Sequence, residues 1–188
     1  KRAEWRGIKV KLEHISLDTE YSILNTCNLL FMGGAQDTQQ EIVNRDLLGV
    51  KGRILASLID KGVPGLYICG AYQFLGKYYR TADNKKLPGL GIFPLYTENP
   101  GEKAKRLIGN VLVRASSRLS EVGGQLLIGF ENHGGRTYLE HKSQRLGDVK
   151  KGFGNNGKDG SEGIVYKNSF GSYLHGPMLH LYFFLRRL

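Results

Sequence analysis

The stretch Val63-Pro64-Gly65-Leu66-Tyr67-Ile68-Cys69-Gly70-Ala71-Tyr72-Gln73-Phe74-Leu75-Gly76 constrains the fold more than any other. Pro64-Gly65 reads as a turn. Leu66 to Ile68 is an apolar run too short for a helix and suited to a buried strand. Ala71 to Tyr79 reads as the opening of a helix. Cys69 therefore stands at a strand-to-helix corner with a glycine beside it, the architecture of a nucleophile elbow. A helix N-terminus there favours thiolate, the reactive form. The Gly70 N–H lies where an oxyanion would form. The same residues also fit a small buried cysteine that ends a strand, which is what most free cysteines are.

A chain of 188 residues with 40% hydrophobic content is read as one globular domain, 1–188. No apolar run reaches the roughly 18 residues of a membrane span. Two cysteines far apart form neither a zinc spacing nor a disulfide framework, so no metal is expected and a cytoplasmic setting is. The formal charge of +10 points to acidic partners and at most a peripheral contact with an anionic membrane surface. Basic residues are dispersed and not interleaved with aromatics, which argues against a nucleic-acid partner.

Taken in order, Lys1 to Arg6 reads as a helix end stopped at Gly7, and Ile8 to Glu13 alternates like a half-exposed strand. His14 reads as a surface or packing histidine. Cys27 to Met32 reads as a buried strand, with Cys27 in the core. Gly33-Gly34-Ala35 turns into a helix that Asp37 would cap, and backbone N–H groups at such a turn form an anion site. Helical patterning covers about 37–48 and 53–61, with Leu55, Leu58 and Ile59 on one face. Gly62 fits a helix C-cap. The order strand–helix–strand–helix predicts an open, mostly parallel sheet with flanking helices, an α/β fold. Such sheets bind ligands at the carboxyl ends of their strands, where Cys69 falls.

Lys77 to Lys86 is polar and basic. Leu107 to Val113 and Leu126 to Phe130 read as strands, and Arg106 precedes the first. Glu131-Asn132-His133-Gly134-Gly135-Arg136 reads as a loop. Five glycines between 152 and 163, with Asn155-Asn156, predict a mobile loop. No Walker pattern or other nucleotide fingerprint appears, so no cofactor is assigned to this chain. Ile164 to Tyr166 and Ser169 to Leu174 are the last strands, and His175 follows. His133 and His175 both qualify as a base for Cys69, and no spacing rule separates them. A solvated basic edge explains Arg106 equally well.

Cys69-Gly70-Ala71-Tyr72-Gln73-Phe74-Leu75-Gly76 resembles the nucleophile motif of the CobB/CobQ-like glutamine amidotransferases. Gly33 to Asp37, Gly129 to Thr137 and Tyr173 to Pro177 also match, in order. The Glu131 to Thr137 stretch resembles the branch that supplies the glutaminase half of lipid II isoglutaminyl synthase. That resemblance implies a flavodoxin-like class I fold with Cys69 as nucleophile and His175 as general base and acid. It implies Gly70, Gly34 and Ala35 at the oxyanion, and Arg106 and Gln73 on L-glutamine, with Lys103 and Lys105 as alternatives to Arg106. It implies a MurT-like Mur ligase subunit as partner, holding the ATP and metal and presenting lipid II. It also implies an earlier strand and a longer C-terminal helical region than this chain shows. Pro177 stands where full triads carry a glutamate. A corrinoid amidotransferase, a cysteine hydrolase that does not use glutamine and a non-catalytic basic binding module are the competing readings.

Overall fold

The computed structural model describes residues 4–16, 19–34, 47–119 and 123–176. Among these residues the strands are β1 (Leu30–Met32), β2 (Gly65–Ile68), β3 (Tyr78–Arg80) and β4 (Lys86–Pro88). They continue as β5 (Leu95–Glu98), β6 (Leu107–Ala115), β7 (Leu126–His133) and β8 (Arg136–Leu139). The last four are β9 (Gly147–Lys151), β10 (Ser161–Glu162), β11 (Ile164–Tyr166) and β12 (Ser169–Ser172). Two helices matter for the site, α1 (Val50–Asp60) and α2 (Gly70–Phe74).

The strands form three four-stranded sheets. The first, in the order β1-β2-β12-β11, is the parallel sheet that the strand–helix order predicts, with only β11 antiparallel. Its central strand β2 is buried over Gly65, Leu66 and Tyr67, as a parallel strand covered on both faces must be. Gly65 admits the ring of Tyr67, since a Cβ there would lie 2.6 Å from it. α1 buries Leu55, Leu58 and Ile59 on the expected face. Gly62, at φ +83°, follows its end, and the N–H groups of Gly62 and Val63 bond back to Ile59 and Leu58. Tyr67, Tyr72, Phe93, Ile164 and Tyr173 fill the core between α1, α2 and the sheet.

The α/β class holds, and the second and third sheets add to it. The second, β10-β9-β6-β7, is wholly antiparallel and built on the long β6–β7 hairpin. The third, β4-β3-β5-β8, stacks Tyr78, Tyr96 and Tyr138 side by side on one face. Lys77 to Lys86, expected as a polar connection, supplies β3 and β4 because β5 offers them a pairing edge. The helix expected over Ala71 to Tyr79 ends at Phe74. At Gly76 the chain runs so close to Leu95 that a Cβ would lie 2.3 Å from its side chain.

Ile8 to Glu13, expected as a strand, has no regular structure, and Val10 and Leu12 stay exposed. Its alternation finds no pairing partner among the described residues. Cys27 lies half-buried against the core, ahead of a strand that begins only at Leu30. His14 is exposed, as expected. The helix expected over about 37–48 falls largely outside the described residues, with Asp37.

Candidate active site

Cys69 joins β2 to α2 at φ +55° and ψ −109°. An L-residue adopts positive φ at a cost, and such strain persists where the surroundings enforce it. Two hydrogen bonds do so here. The Cys69 N–H donates to the Ser172 carbonyl at 2.9 Å, and the Cys69 carbonyl accepts from Gln73 N–H at 3.0 Å. The second bond starts α2, so the corner and the helix form together. The thiol is free of any disulfide and half-buried.

Gly34, after β1, meets the corner. A Cβ built on Gly34 would lie 3.2 Å from Cys69 Cβ and 3.6 Å from Gly70 N. Gly34, Cys69 and Gly70 therefore border one small space. Ala35, the third residue of that expectation, lies outside the described residues, as does Pro177.

β12 runs parallel to β2 with Ser172 opposite Ile68. His175 leaves the carboxyl end of β12 three residues later, on the strand adjoining that of Cys69. Its backbone exchanges hydrogen bonds of 2.7 and 2.8 Å with Phe130 of β7. The Nε2 atom is buried without a hydrogen-bond partner among the described residues. Burial, and then the charge of nearby His133, hold the imidazole below its usual proton affinity. A neutral imidazole is the form a base needs.

His133 has a different setting. It is fully buried, its Nδ1 lies 2.8 Å from the Gly135 carbonyl, and its ring lies flat on that of Tyr173 at 3.5 Å. Its Nε2 faces Glu131 Oε2 at 3.5 Å. Residues 131–136, expected as a loop, are the end of β7, a tight Gly134–Gly135 turn and the start of β8.

That turn gathers the residues expected to hold glutamine. A Cβ on Gly135 would lie 2.7 Å from Gln73 Nε2, and one on Gly134 would lie 3.4 Å from Arg106 Nη1. Arg106 is exposed and donates through Nε and Nη2 to the side chain and carbonyl of Asn132, at 3.0 and 3.1 Å. Lys103 and Lys105 are exposed nearby in sequence. Gln73 is buried, and its amide nitrogen donates to the Tyr173 hydroxyl at 2.9 Å. Its amide nitrogen thus orients Tyr173.

Several residues at this site carry no sequence signal of their own. The Tyr173 hydroxyl also meets Thr137 Oγ1 at 2.6 Å, which meets Thr97 Oγ1 at 2.7 Å. Arg136 donates to the carbonyls of Gly134 and Lys105, at 2.8 and 2.7 Å, and so braces the turn. Glu131 is fully buried and accepts from the N–H groups of Phe153 and Gly154, at 2.7 and 2.9 Å. The glycine-rich segment 152–163 is thus a packed loop that cradles a carboxylate of the chain itself, not the free loop its composition predicts. The usable signals were the period-two alternation that puts Glu131 and His133 on one face of β7, and the two-residue spacing of Tyr173 and His175.

The described residues hold no group of three His, Cys, Asp or Glu side chains that could bind a metal ion. No helix among them is long and apolar enough to cross a membrane.

A strained cysteine at a strand–helix corner, with glycine backbone around it and a histidine beyond the adjoining strand, fits a domain built for a cysteine nucleophile. The chain belongs to the CobB/CobQ-like glutamine amidotransferase family, whose domain matches residues 1–183. It is 46% identical over 178 residues to the lipid II isoglutaminyl synthase (glutamine-hydrolyzing) subunit GatD of Staphylococcus aureus, covering 95% of this chain and 68% of that one. The GatD subunit of Streptococcus pneumoniae is 40% identical over 177 residues, covering 94% and 65%. This chain thus spans about two thirds of the length of these relatives. The cobyric acid synthase of Pelotomaculum thermopropionicum is 28% identical over 160 residues, covering 81% of this chain and 30% of that enzyme. A solved glutamine amidotransferase superposes with a TM-score of 0.64 at 13% identity, covering 97% of this chain and 88% of its own. A second, from Thermotoga maritima, does so with 0.53 at 18%, covering 90% and 60%.

Proposed function

We propose that this chain is the glutaminase subunit of a lipid II isoglutaminyl synthase. The observation that carries the reading is the Cys69 corner with Gly34 and Gly70 around it and His175 beyond the adjoining strand. The similarity to two GatD subunits supports the choice of branch.

Cys69 gives its thiol proton to His175, and the thiolate attacks the carboxamide carbon of L-glutamine. The Gly70 N–H and the backbone after β1 receive the developing oxyanion. The C–N bond breaks as His175 returns its proton to the leaving nitrogen, releasing ammonia and leaving a glutamyl thioester. Water, deprotonated by His175, opens the thioester to glutamate and restores the thiol. Arg106 faces the substrate carboxylate, for which its fork geometry is suited. The ammonia passes to a MurT-like Mur ligase subunit. That subunit uses ATP to activate the D-glutamate α-carboxyl of lipid II, which ammonia converts to the amide of D-isoglutamine. ATP and metal reside on that partner, and the pair works on the cytoplasmic side.

The test is ammonia and glutamate release from L-glutamine, for this chain alone and beside the ligase. Wild type should release both in equal amounts. Cys69→Ala should release none, and His175→Ala nearly none, while His133→Ala keeps a measurable fraction. Wild-type turnover in Cys69→Ala would end the assignment.

A further inference from the structure

Behind the proposed reacting pair lies a buried polar group that the chemistry above does not use. Glu131 is wholly removed from solvent, and its carboxylate is held by the Phe153 and Gly154 N–H groups. A Cβ on Gly152 would lie 2.6 Å from its Oε1, so the loop can close on the carboxylate only with glycine there. His133, two residues along the same face of β7, sets Nε2 3.5 Å from Glu131 Oε2 and Nδ1 2.8 Å from the Gly135 carbonyl. Burying a carboxylate and an imidazole costs more than burying an apolar pair of the same volume. Such an arrangement needs a use beyond packing.

The use is indicated by what His133 touches. Its ring lies within 6° of parallel to that of Tyr173. Tyr173 precedes His175 by two residues, so in extended chain both side chains point to one side. The Tyr173 N–H is bonded to Glu162 Oε1 at 2.8 Å. The His175 backbone is clamped to Phe130, the neighbour of Glu131. β7 therefore holds His175 twice, through backbone at Phe130 and through the His133–Tyr173 stack.

We propose that His133 is a positioning residue for His175: stacked on Tyr173, it fixes the Tyr173–His175 segment against β7. This rests on the reading of Cys69 and His175 as the reacting pair. The charge of His133 lowers the proton affinity of His175, second to burial. The other titratable groups around Tyr173 are Cys69 at the corner, Glu162 from β10, Tyr72 from α2 and Arg136 from β8. Of these groups and His133, only His133 lies flat on the Tyr173 ring among the described residues.

The test is a histidine NMR titration of the full chain, which has five histidines, with a His175→Asn variant to assign the signal. His133→Phe keeps a flat ring for Tyr173 and removes the charge; His133→Gln removes the charge and the ring. In both, the His175 midpoint should rise, since the charge of His133 lowers it. In His133→Gln, which loses the stack on Tyr173, kcat should fall with the KM for glutamine unchanged within error, and His133→Phe should recover most of it. A kcat in His133→Gln equal to wild type, or a His133→Phe no better than His133→Gln, overturns the proposal. Should His133→Gln not fold, His133→Phe decides alone: a kcat reduced as far as in His133→Ala overturns the proposal. The glutaminase reading fails separately, on wild-type ammonia release by Cys69→Ala, whatever the midpoint does.

Discussion

Cys69 and Ser172 are joined by one backbone hydrogen bond of 2.9 Å, from the N–H of the corner to the carbonyl that ends β12. That bond ties the proposed nucleophile to the strand that leads to the proposed base. Its side chain adds a second tie. Ser172 Oγ donates to Glu162 Oε1 at 2.8 Å and accepts from Leu174 N–H at 3.0 Å, so the turn toward His175 is held from within.

Gly34 should tolerate no side chain. A methyl there would press on Cys69 Cβ at 3.2 Å, tighter than ordinary contact, and fill the space beside Gly70 N. Gly34→Ala is expected to keep the fold and lower glutaminase turnover by about tenfold or more, because the methyl crowds the space in which the oxyanion meets its donors. Turnover against thermal melting separates the two effects; full turnover would remove Gly34 from the oxyanion site.

Arg106→Ala should raise the KM for glutamine while leaving alkylation of Cys69 by a small reagent intact. Arg106 is exposed and its side-chain bonds among the described residues go to Asn132, so stability should change by no more than about 0.5 kcal/mol. An unchanged KM transfers the carboxylate-binding role to Lys103 or Lys105.

Tyr173→Phe should destabilise the fold by about 1–3 kcal/mol. It keeps the ring under His133 but leaves the buried Gln73 amide without the acceptor it has at 2.9 Å. Urea denaturation measures the loss, and a neutral substitution would show that Gln73 and Thr137 re-pair without the hydroxyl.

Glu162 makes stability depend on pH. Its Oε1 accepts from Ser172 Oγ and Tyr173 N–H, and its Oε2 has no partner among the described residues. Burial pushes the carboxyl up to about 7, against those two donors, and the charge of Glu131 adds to the rise. A group whose folded value is raised stabilises the fold while protonated in both states. That stability is lost as pH climbs from the unfolded value of about 4.5 through the folded one near 7. The loss is on the order of 3 kcal/mol. Glu162→Gln removes the titration and should be more stable than wild type at pH 8, with the gap closing toward pH 5. Parallel urea midpoints at the two pH values would contradict this.

Much of the site can be read along the chain because its signals are local. Pro64-Gly65, the apolar run to Ile68 and the glycine after Cys69 mark the corner. The spacing of Leu55, Leu58 and Ile59 marks α1. The apolar runs before and after Gly123-Gly124 mark β6 and β7. Each rests on neighbours a few residues apart, where backbone preference and hydrophobic period decide.

Pairing between distant segments obeys no such rule, and only the tertiary structure decided it. Ile8 to Glu13 alternates like a strand yet pairs with nothing described, while the basic stretch Lys77 to Lys86 becomes β3 and β4 beside β5. The register of Ser172 opposite Ile68 brings His175 beside the Cys69 strand across about a hundred residues of sequence, whereas His133 is turned toward Glu131 and Tyr173. The glycines at 152 and 154, which composition assigns to a free loop, close on the Glu131 carboxylate because a buried charge requires donors and the backbone there can approach it. A strand's partner and a buried charge's donors are set by what lies across the fold, and that is why sequence marked the Cys69 corner but left His133 and His175 unseparated, while the fold leads His175 off the strand beside β2 and stacks His133 on Tyr173.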